Sequence, residues 1–350
     1  MLFRSFRISL AAVCLAACST VFAYGQALDS VYTTKGGAPS KGTITDAMTK
    51  DNVTLDMAGV PRVFAINEIA RITYGDEPQE LSNARNSVVA KNYGSAMEEL
   101  KKIPAGSLVR PHMLQDAQFY MALCQVKLAM SEGLDRTKAE TDMANFARTY
   151  PNSYHFYEAA ELLGDLAMSG GKYDVAVRYY TPLAKAPYED MQMRANNASA
   201  RALVAQKNFA EALTRYEAVL ASGLATAEAS SQKMLATVGK AQCLGETGKP
   251  DEGVKMLEDV IAKNDPQDTR LFARTYNALG SCHLKAGREK DALLAYLHTD
   301  VLFYADGEAH AEALYHLIKL WTNMNKADRA TAARSTLKDR YAGSVWNSKE

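Results

Sequence analysis

The sequence lacks an excess of charge of either sign. Its 350 residues include 40 lysines and arginines and 40 aspartates and glutamates, so the formal net charge is zero. No run of lysine or arginine is longer than two residues. Because phosphate backbones are bound by concentrated positive surfaces, this balance argues against nucleic acid as a partner. Charged residues make up 23% of the chain and apolar residues 47%, which is typical of a globular protein.

Cysteine is also scarce, with five residues in the chain. Cys14 and Cys18 lie near the N-terminus, which leaves Cys124, Cys243 and Cys282 at wide spacing. An odd number of widely spaced cysteines supplies neither a disulfide framework nor the spacing of zinc ligands. Each of the three lies in an apolar helical pattern, so we expect them to be buried as small apolar side chains.

No motif for a catalytic or cofactor site is present. The sequence has no His-Glu-x-x-His helix, no Gly-x-Ser-x-Gly turn and no glycine-rich phosphate loop that continues into Lys-Ser or Lys-Thr. Glu308, Glu312 and His316 follow one another at intervals of four residues and share a helix face, which could begin a metal site. We interpret that face as an ordinary solvated one. We therefore predict a protein that is not an enzyme and holds no cofactor or metal.

The only segment with the character of a targeting signal is at the N-terminus. Arg4 and Arg7 precede the mostly apolar residues 8–17, and small residues follow. This is the pattern of a secretory signal peptide. We predict cleavage after Val21-Phe22-Ala23, so that residues 1–23 are removed. The segment is too short and too interrupted to predict a transmembrane helix.

A second cleavage site competes with the first. Leu15-Ala16-Ala17-Cys18 resembles the bacterial lipobox, in which the cysteine becomes a lipid-modified first residue. The signal would then cover residues 1–17, and Cys18 would be a lipid anchor. Both alternatives predict an exported protein in the periplasm or associated with the cell envelope. Contact with the membrane would occur only through Cys18.

Residues 29–75 show an apolar pattern of period two. Short alternating segments are separated by turn residues such as Gly36-Gly37 and Ala58-Gly59, and they predict about five strands. The pattern resembles the small SH3-like or Sm-like barrels that precede helical repeats in some bacterial envelope proteins. A β domain of this size is marginally stable alone, so we expect it to pack on the first helices.

The apolar period changes to 3.6 over residues 79–350. A small residue followed four positions later by a large one recurs at intervals of 36 to 43 residues. The seven pairs are Ala96/Leu100, Ala139/Met143, Ala176/Tyr180, Ala212/Tyr216, Gly253/Leu257, Ala292/Tyr296 and Ala330/Arg334. Because one hairpin cannot bury its own apolar stripe, this repetition predicts a mainly helical α-solenoid of about seven hairpins.

The repeats resemble the tetratricopeptide repeat. One copy reads Tyr276-Asn277-Ala278-Leu279-Gly280 and continues with Ala292 and Tyr296, and a second has Leu163-Gly164 before Ala176 and Tyr180. Leucine-glycine on the first helix and alanine before an aromatic residue on the second are the family pattern.

Several positions depart from that pattern, and at one of them Ser199-Ala200 replaces leucine-glycine. Gly253 replaces the usual alanine, Arg334 replaces the aromatic residue, and Pro182 is expected to kink or end its helix.

The resemblance implies that the first helices of the hairpins line a concave groove, which in this family usually holds a peptide or a helix of another protein. We expect five polar residues of the first helices to face this groove: Asn196, Asn197, Arg201, Lys240 and Asn277. The predicted function is that of a protein-binding scaffold or adaptor in the bacterial envelope.

Two alternatives remain open. Tyr154, Tyr157 and Tyr179 have no predicted packing role, and if they were exposed they could stack on cell-wall or other polysaccharides. The other alternative is an enzyme whose site the sequence does not reveal.

Overall fold

The structure is a computed structural model that describes residues 27–350. In this range an antiparallel sheet of five strands precedes fifteen helices. No helix between residues 27 and 350 combines the length and apolar character needed to cross a bilayer. The predicted signal peptide (residues 1–23) and the predicted anchor Cys18 lie outside the described residues.

The sheet contains β1 (Asp29–Thr33), β2 (Ser40–Ile44), β3 (Asn52–Met57), β4 (Val60–Ala65) and β5 (Ile69–Thr73). The spatial order is β4-β3-β2-β1-β5, because the last strand returns through a short 3₁₀ turn to pair with the first. Alternate side chains point inward, and Val31, Leu55 and Ile72 are completely buried. The five predicted strands are confirmed.

Helices run from residue 79 almost to the C-terminus and form seven consecutive hairpins, which confirms the predicted solenoid. They are α1 (Gln79–Val89), α2 (Tyr93–Lys101), α3 (Pro111–Ser131), α4 (Arg136–Thr149), α5 (Phe156–Ser169), α6 (Tyr173–Ala184), α7 (Glu189–Ala205), α8 (Phe209–Leu220), α9 (Ala227–Glu246), α10 (Pro250–Lys263), α11 (Thr269–Lys285), α12 (Glu289–Leu302), α13 (Gly307–Asn323) and α14 (Ala327–Arg340), followed by the short α15 (Val345–Lys349).

Tyrosines of the second helices pack against glycines of the first helices. A Cβ atom on Gly164 of α5 would lie 2.2 Å from the ring of Tyr180 on α6. A Cβ atom on Gly280 of α11 would lie 2.7 Å from the ring of Tyr296 on α12. The two tyrosines are almost completely buried, as the repeat pattern predicts. These helices approach closely because glycine leaves room for a ring.

At Gly253, Arg334 and Pro182, the departures from the repeat pattern have local explanations. At Gly253 a Cβ atom would lie 2.7 Å from the carbonyl oxygen of Ala241, so alanine does not fit without movement. Arg334 is exposed, and Leu337, three residues later, is completely buried on the same helix. Pro182 lies inside α6, which ends two residues later, as expected of proline.

The sheet packs on the first hairpins through a buried polar cluster, which confirms the expected contact. Asp116 of α3 is completely buried and accepts hydrogen bonds from the hydroxyls of Tyr74 and Tyr154, both at 3.2 Å. His155 Nε2 also lies 3.2 Å from this carboxylate. A second contact is an ion pair, in which the Asp29 carboxylate of β1 lies 2.6 Å from the Arg110 guanidinium. One continuous apolar core surrounds these contacts.

The three cysteines of the described chain, Cys124, Cys243 and Cys282, are free and buried, as predicted. Burial raises the pKa of the Cys124 and Cys243 thiols to about 12. Thiols with so high a pKa are poor nucleophiles at neutral pH.

The close glycine–tyrosine contact predicts a cost for one added methyl group. A Cβ atom on Gly239 of α9 would lie 2.1 Å from the Tyr216 side chain. We expect Gly239→Ala to lower the free energy of unfolding by about 1–3 kcal/mol, because the ring must move within a packed core. Urea denaturation of the full chain measures this change.

Gly94→Ala in α2 is the matched control, since no atom lies within 4 Å of a Cβ atom at that helical position. Alanine favours helix over glycine by up to about 1 kcal/mol, so this variant should be neutral or slightly more stable. Equal losses in both variants would contradict the packing described above.

Candidate functional site

The first helices of five consecutive hairpins line a concave cavity of about 530 Å³. They are α5, α7, α9, α11 and α13, and each contributes at least one charged side chain to the lining. The curvature of the solenoid brings these helices together, because neighbouring hairpins share a core and rotate in the same sense. The predicted groove is therefore present as a cavity whose wall combines charged, polar and apolar side chains.

A network of arginines and carboxylates crosses this cavity. Arg201 of α7 forms an ion pair with Glu308 of α13, although 107 residues separate them. Arg274 of α11 contacts Asp306 at 2.9 Å and Glu308 at 3.3 Å. The network therefore joins helices of the fourth, sixth and seventh hairpins.

The arginines determine the ionisation of the two carboxylates. Burial alone would raise the pKa of Asp306, but Arg274, the Ala309 N–H and Arg201 together lower it to about 2. Burial likewise opposes ionisation of Glu308, and Arg201 and Arg274 outweigh it and lower the pKa. Both carboxylates are therefore charged at neutral pH.

Three of the five residues expected in the groove line the cavity: Asn197, Arg201 and Asn277. The Asn197 amide donates to the carbonyl oxygen of Gln232 at 2.9 Å, and the Asn277 amide donates to that of Ala309 at 2.7 Å. Each asparagine thus ties one first helix to the next. Their Oδ1 atoms are buried and have no hydrogen-bond partner among the described residues.

The other two residues expected in the groove, Asn196 and Lys240, are not part of the cavity lining. Lys240 instead pairs with Glu217 of α8 at 3.0 Å.

The helix face of Glu308, Glu312 and His316 lines the cavity, so its interpretation as an ordinary solvated face is wrong. Glu312 accepts a hydrogen bond from Asn277 at 3.1 Å, and burial raises its pKa. His316 stacks on Tyr296 at 4.6 Å, and burial and two lysines lower its pKa to about 4. In residues 27–350, no three His, Cys, Asp or Glu side chains are grouped to hold a metal ion.

The tyrosines considered for sugar binding are largely covered by protein. Tyr154 donates to Asp116 inside the junction with the sheet, and Tyr157 donates to Asp51 at 2.7 Å. The two rings are buried, and Tyr179 is half-buried with its hydroxyl on Glu140 at 3.1 Å. The expectation that these aromatics are exposed does not hold for Tyr154 and Tyr157.

The C-terminal segment borders the cavity on one side. Val345, Trp346 and Lys349 of α15 line it, and the Trp346 ring lies 5.2 Å from the ring of Tyr315 on α13. Further back, a Cβ atom on Gly343 would lie 2.4 Å from the carbonyl oxygen of Ala129 on α3. The last residues therefore touch both the second and the seventh hairpin.

The ion pair of Asp306 predicts a pH-dependent stability. Its pKa of about 2 lies below the value of about 3.9 that we expect in the unfolded chain. The stabilisation is therefore complete above about pH 4 and is lost as the pH falls toward about 2. At pH 7, Asp306→Asn should lower the free energy of unfolding by about 2 kcal/mol. This loss should shrink on acidification, as measured by urea denaturation.

Asp268→Asn is the matched control. Asp268 caps α11 through the Leu271 N–H at 3.0 Å, as Asp306 caps α13 through Ala309, but it has no arginine partner among the described residues. Asparagine keeps the cap in both positions, so the control should lose little stability at any pH. If the two variants behave alike, the ion pair is not what stabilises this part of the cavity.

Two family models described as tetratricopeptide repeat match the sequence. One covers residues 161–223 and 238–298, and the other covers residues 116–153. A search of curated proteins gave no match.

Solved structures show the same fold. A tetratricopeptide repeat protein from Parabacteroides merdae has 15% identity over 75% of this chain and 92% of its own, with a TM-score of 0.52. A Rap protein, solved in complex with the competence and sporulation factor, has 12% identity over 77% of each chain, with a TM-score of 0.50. The segments between residues 116 and 298 thus match tetratricopeptide repeats, and the hairpins that line the cavity share the arrangement of that fold.

Proposed function

We propose that the protein is a non-enzymatic scaffold that holds a peptide or a helix of another protein in the cavity between its first helices. The observation that carries this proposal is the cavity itself. Its volume is about 530 Å³, and it extends along the first helices of five consecutive hairpins. Polar side chains that are not completely buried line its wall, among them Gln242.

Tetratricopeptide repeats commonly act as protein-binding scaffolds, and this supports the proposal. The Rap protein with the same fold was solved with the competence and sporulation factor bound. A fold alone does not identify a binding partner. The partner of this protein must therefore be identified from the residues of its own cavity.

The chemistry of the cavity wall supports a binding role rather than a catalytic one. His316 lines the cavity, but with a pKa lowered to about 4 it is a weak base at neutral pH. The carboxylates of Asp306 and Glu308 are held by arginines instead of being free to transfer protons.

The cellular location belongs to the proposal as well. The predicted signal over residues 1–23, or over 1–17 with Cys18 as a lipid anchor, supports export to the periplasm or the envelope. Mass spectrometry of the mature N-terminus distinguishes a chain that starts at Tyr24 from one that starts at a lipid-bearing Cys18. We also propose that the sheet is a small SH3-like or Sm-like barrel, which its strand order supports.

Site-specific photo-crosslinking in the source organism tests the proposed function. We would place benzoylphenylalanine at position 242, because Gln242 lines the cavity and is not completely buried. We expect this variant to crosslink a specific protein, which mass spectrometry then identifies.

Two positions outside the cavity serve as controls. Leu294 on α12 is 57% exposed and Val63 on β4 is 61% exposed, and neither lines the cavity. We expect no specific product from either position. A product from position 63 or 294 without one from position 242 would place the binding surface on the sheet or the outer helices and contradict the proposal.

A further inference from the structure

The C-terminal segment, residues 342–350, connects the two ends of the row of helices that line the cavity. At one end, a Cβ atom on Gly171, in the turn after α5, would lie 3.0 Å from the Val345 side chain. At the other end, the Trp346 ring lies 5.2 Å from the ring of Tyr315 on α13. Because α5 and α13 are the first and the last helix of the row, the segment spans the opening between them. We call residues 342–350 the strap.

The strap is anchored to the second hairpin through its backbone. Gly343 is buried at the C-terminal end of α3, where a Cβ atom would lie 2.4 Å from the carbonyl oxygen of Ala129. The Arg136 guanidinium of α4 donates a hydrogen bond to the Gly343 carbonyl oxygen, although 207 residues separate the two. The φ of Gly343 is not positive, so the contact with α3, and not the backbone conformation, requires glycine there.

The rest of the strap is held weakly. None of the five residues of α15 is buried, and a helix of this length is not stable alone in water. Near its end, Glu350 forms an ion pair at the surface with Arg334, and Lys349 Nζ lies 3.5 Å from the Tyr173 hydroxyl. Exposed polar contacts of this kind stabilise a segment little. The strap can therefore detach at low cost in free energy while the hairpins stay folded.

The position of the strap limits which partners can enter the cavity. Val345, Trp346 and Lys349 form part of the cavity lining. A helix inside a folded partner is about 10–12 Å wide with its side chains and has no free end to thread behind the strap. Such a helix can reach the inner helices only after the strap has moved.

We propose that the strap is an autoinhibitory contact, which covers one side of the cavity in the free protein and detaches when a partner helix enters. The proposal rests on the proposed function and adds its regulation. The site that the strap leaves holds the Trp346 ring against Tyr315 in the free protein. It therefore fits a partner segment with an aromatic side chain at the same place.

A synthetic peptide tests whether the strap can leave its site. The peptide carries the sequence of residues 341–350 and a fluorescent label, and it is titrated into the full chain. The wild type should bind it weakly, because the tethered strap fills the site at a high effective concentration. Gly343→Ala should bind the same peptide about tenfold more tightly, because the added methyl group displaces the tethered strap while the peptide keeps its glycine.

Gly223→Ala is the matched control, since no atom lies within 4 Å of a Cβ atom at that position. It should bind the peptide as the wild type does. A peptide with alanine in place of tryptophan should bind Gly343→Ala about tenfold more weakly than the original peptide. Equal binding of the two peptides would overturn the predicted preference for an aromatic side chain.

The stability of Gly343→Ala decides whether the strap is a separate element. Its melting temperature should stay within about 3 °C of the wild-type value, because the hairpins do not depend on the strap. A larger fall would make the strap part of the folded core and overturn the inference. Absence of peptide binding to folded Gly343→Ala at concentrations up to about 1 mM would overturn it as well.

The photo-crosslink from position 242 tests the effect of the strap on partner binding. Gly343→Ala should raise the yield of the crosslinked product by about threefold or more, because a larger fraction of the chain is open, and Gly223→Ala should leave it unchanged. An equal or lower yield from Gly343→Ala would overturn the inference and leave the proposed function intact. No product from position 242 in either the wild type or Gly343→Ala would overturn the proposed function and this inference with it.

Discussion

Contact between a small residue on one helix and a ring on its neighbour sets the geometry of the whole solenoid. Gly164 and Gly280 each receive a buried tyrosine of the paired helix, and Gly239 receives a tyrosine of the preceding hairpin. These contacts hold neighbouring helices close together, and hairpins stacked in this way turn by a small angle at each repeat. Repeated rotation in one sense curves the stack and places the first helices on its inner side.

The curvature has an electrostatic consequence. It brings α7 within ion-pair distance of α13, so that Arg201 and Glu308 meet across the cavity. Charges gathered in this way are less well screened than charges on an open surface, and their balance matters more. Glu308 and the N-cap residue Asp306 pair with Arg201 and Arg274 there. The same packing that builds the solenoid thus assembles the ion pairs of its cavity.

Much of the fold could be predicted from the sequence, because side-chain size at a fixed interval is visible in a single chain. The seven hairpins followed from the spacing of residues such as Ala176 and Tyr180. The strands followed from alternation, and the early end of α6 followed from Pro182. These features can be predicted because the residues that determine them lie within a few positions of one another in the sequence.

The site could be predicted only in part. Asn197, Arg201 and Asn277 were recognised because a first-helix position outside the core register tends to face the groove. The Glu308 face was misinterpreted. The partners of Glu308 lie on helices 34 and 107 residues away in sequence, so they depend on the pitch of the superhelix. The sequence offered one signal for the Glu308 face. Arg201 was expected to face the groove, and its ion-pair partner there is Glu308. The burial of Tyr154 and Tyr157 could not be predicted either. Tyr157 bonds to Asp51 beside the sheet, and Tyr154 bonds to Asp116 of α3, 38 residues away.

Hydrogen–deuterium exchange on the full chain, free and with its crosslink-identified partner bound, tests the central claim most directly. An occupant of the cavity should slow exchange in the inner helices α7, α9, α11 and α13. The outer helices α10 and α12 and the sheet, which do not line the cavity, should change little. Protection confined to the sheet or to the outer helices would show that the cavity is not the binding site.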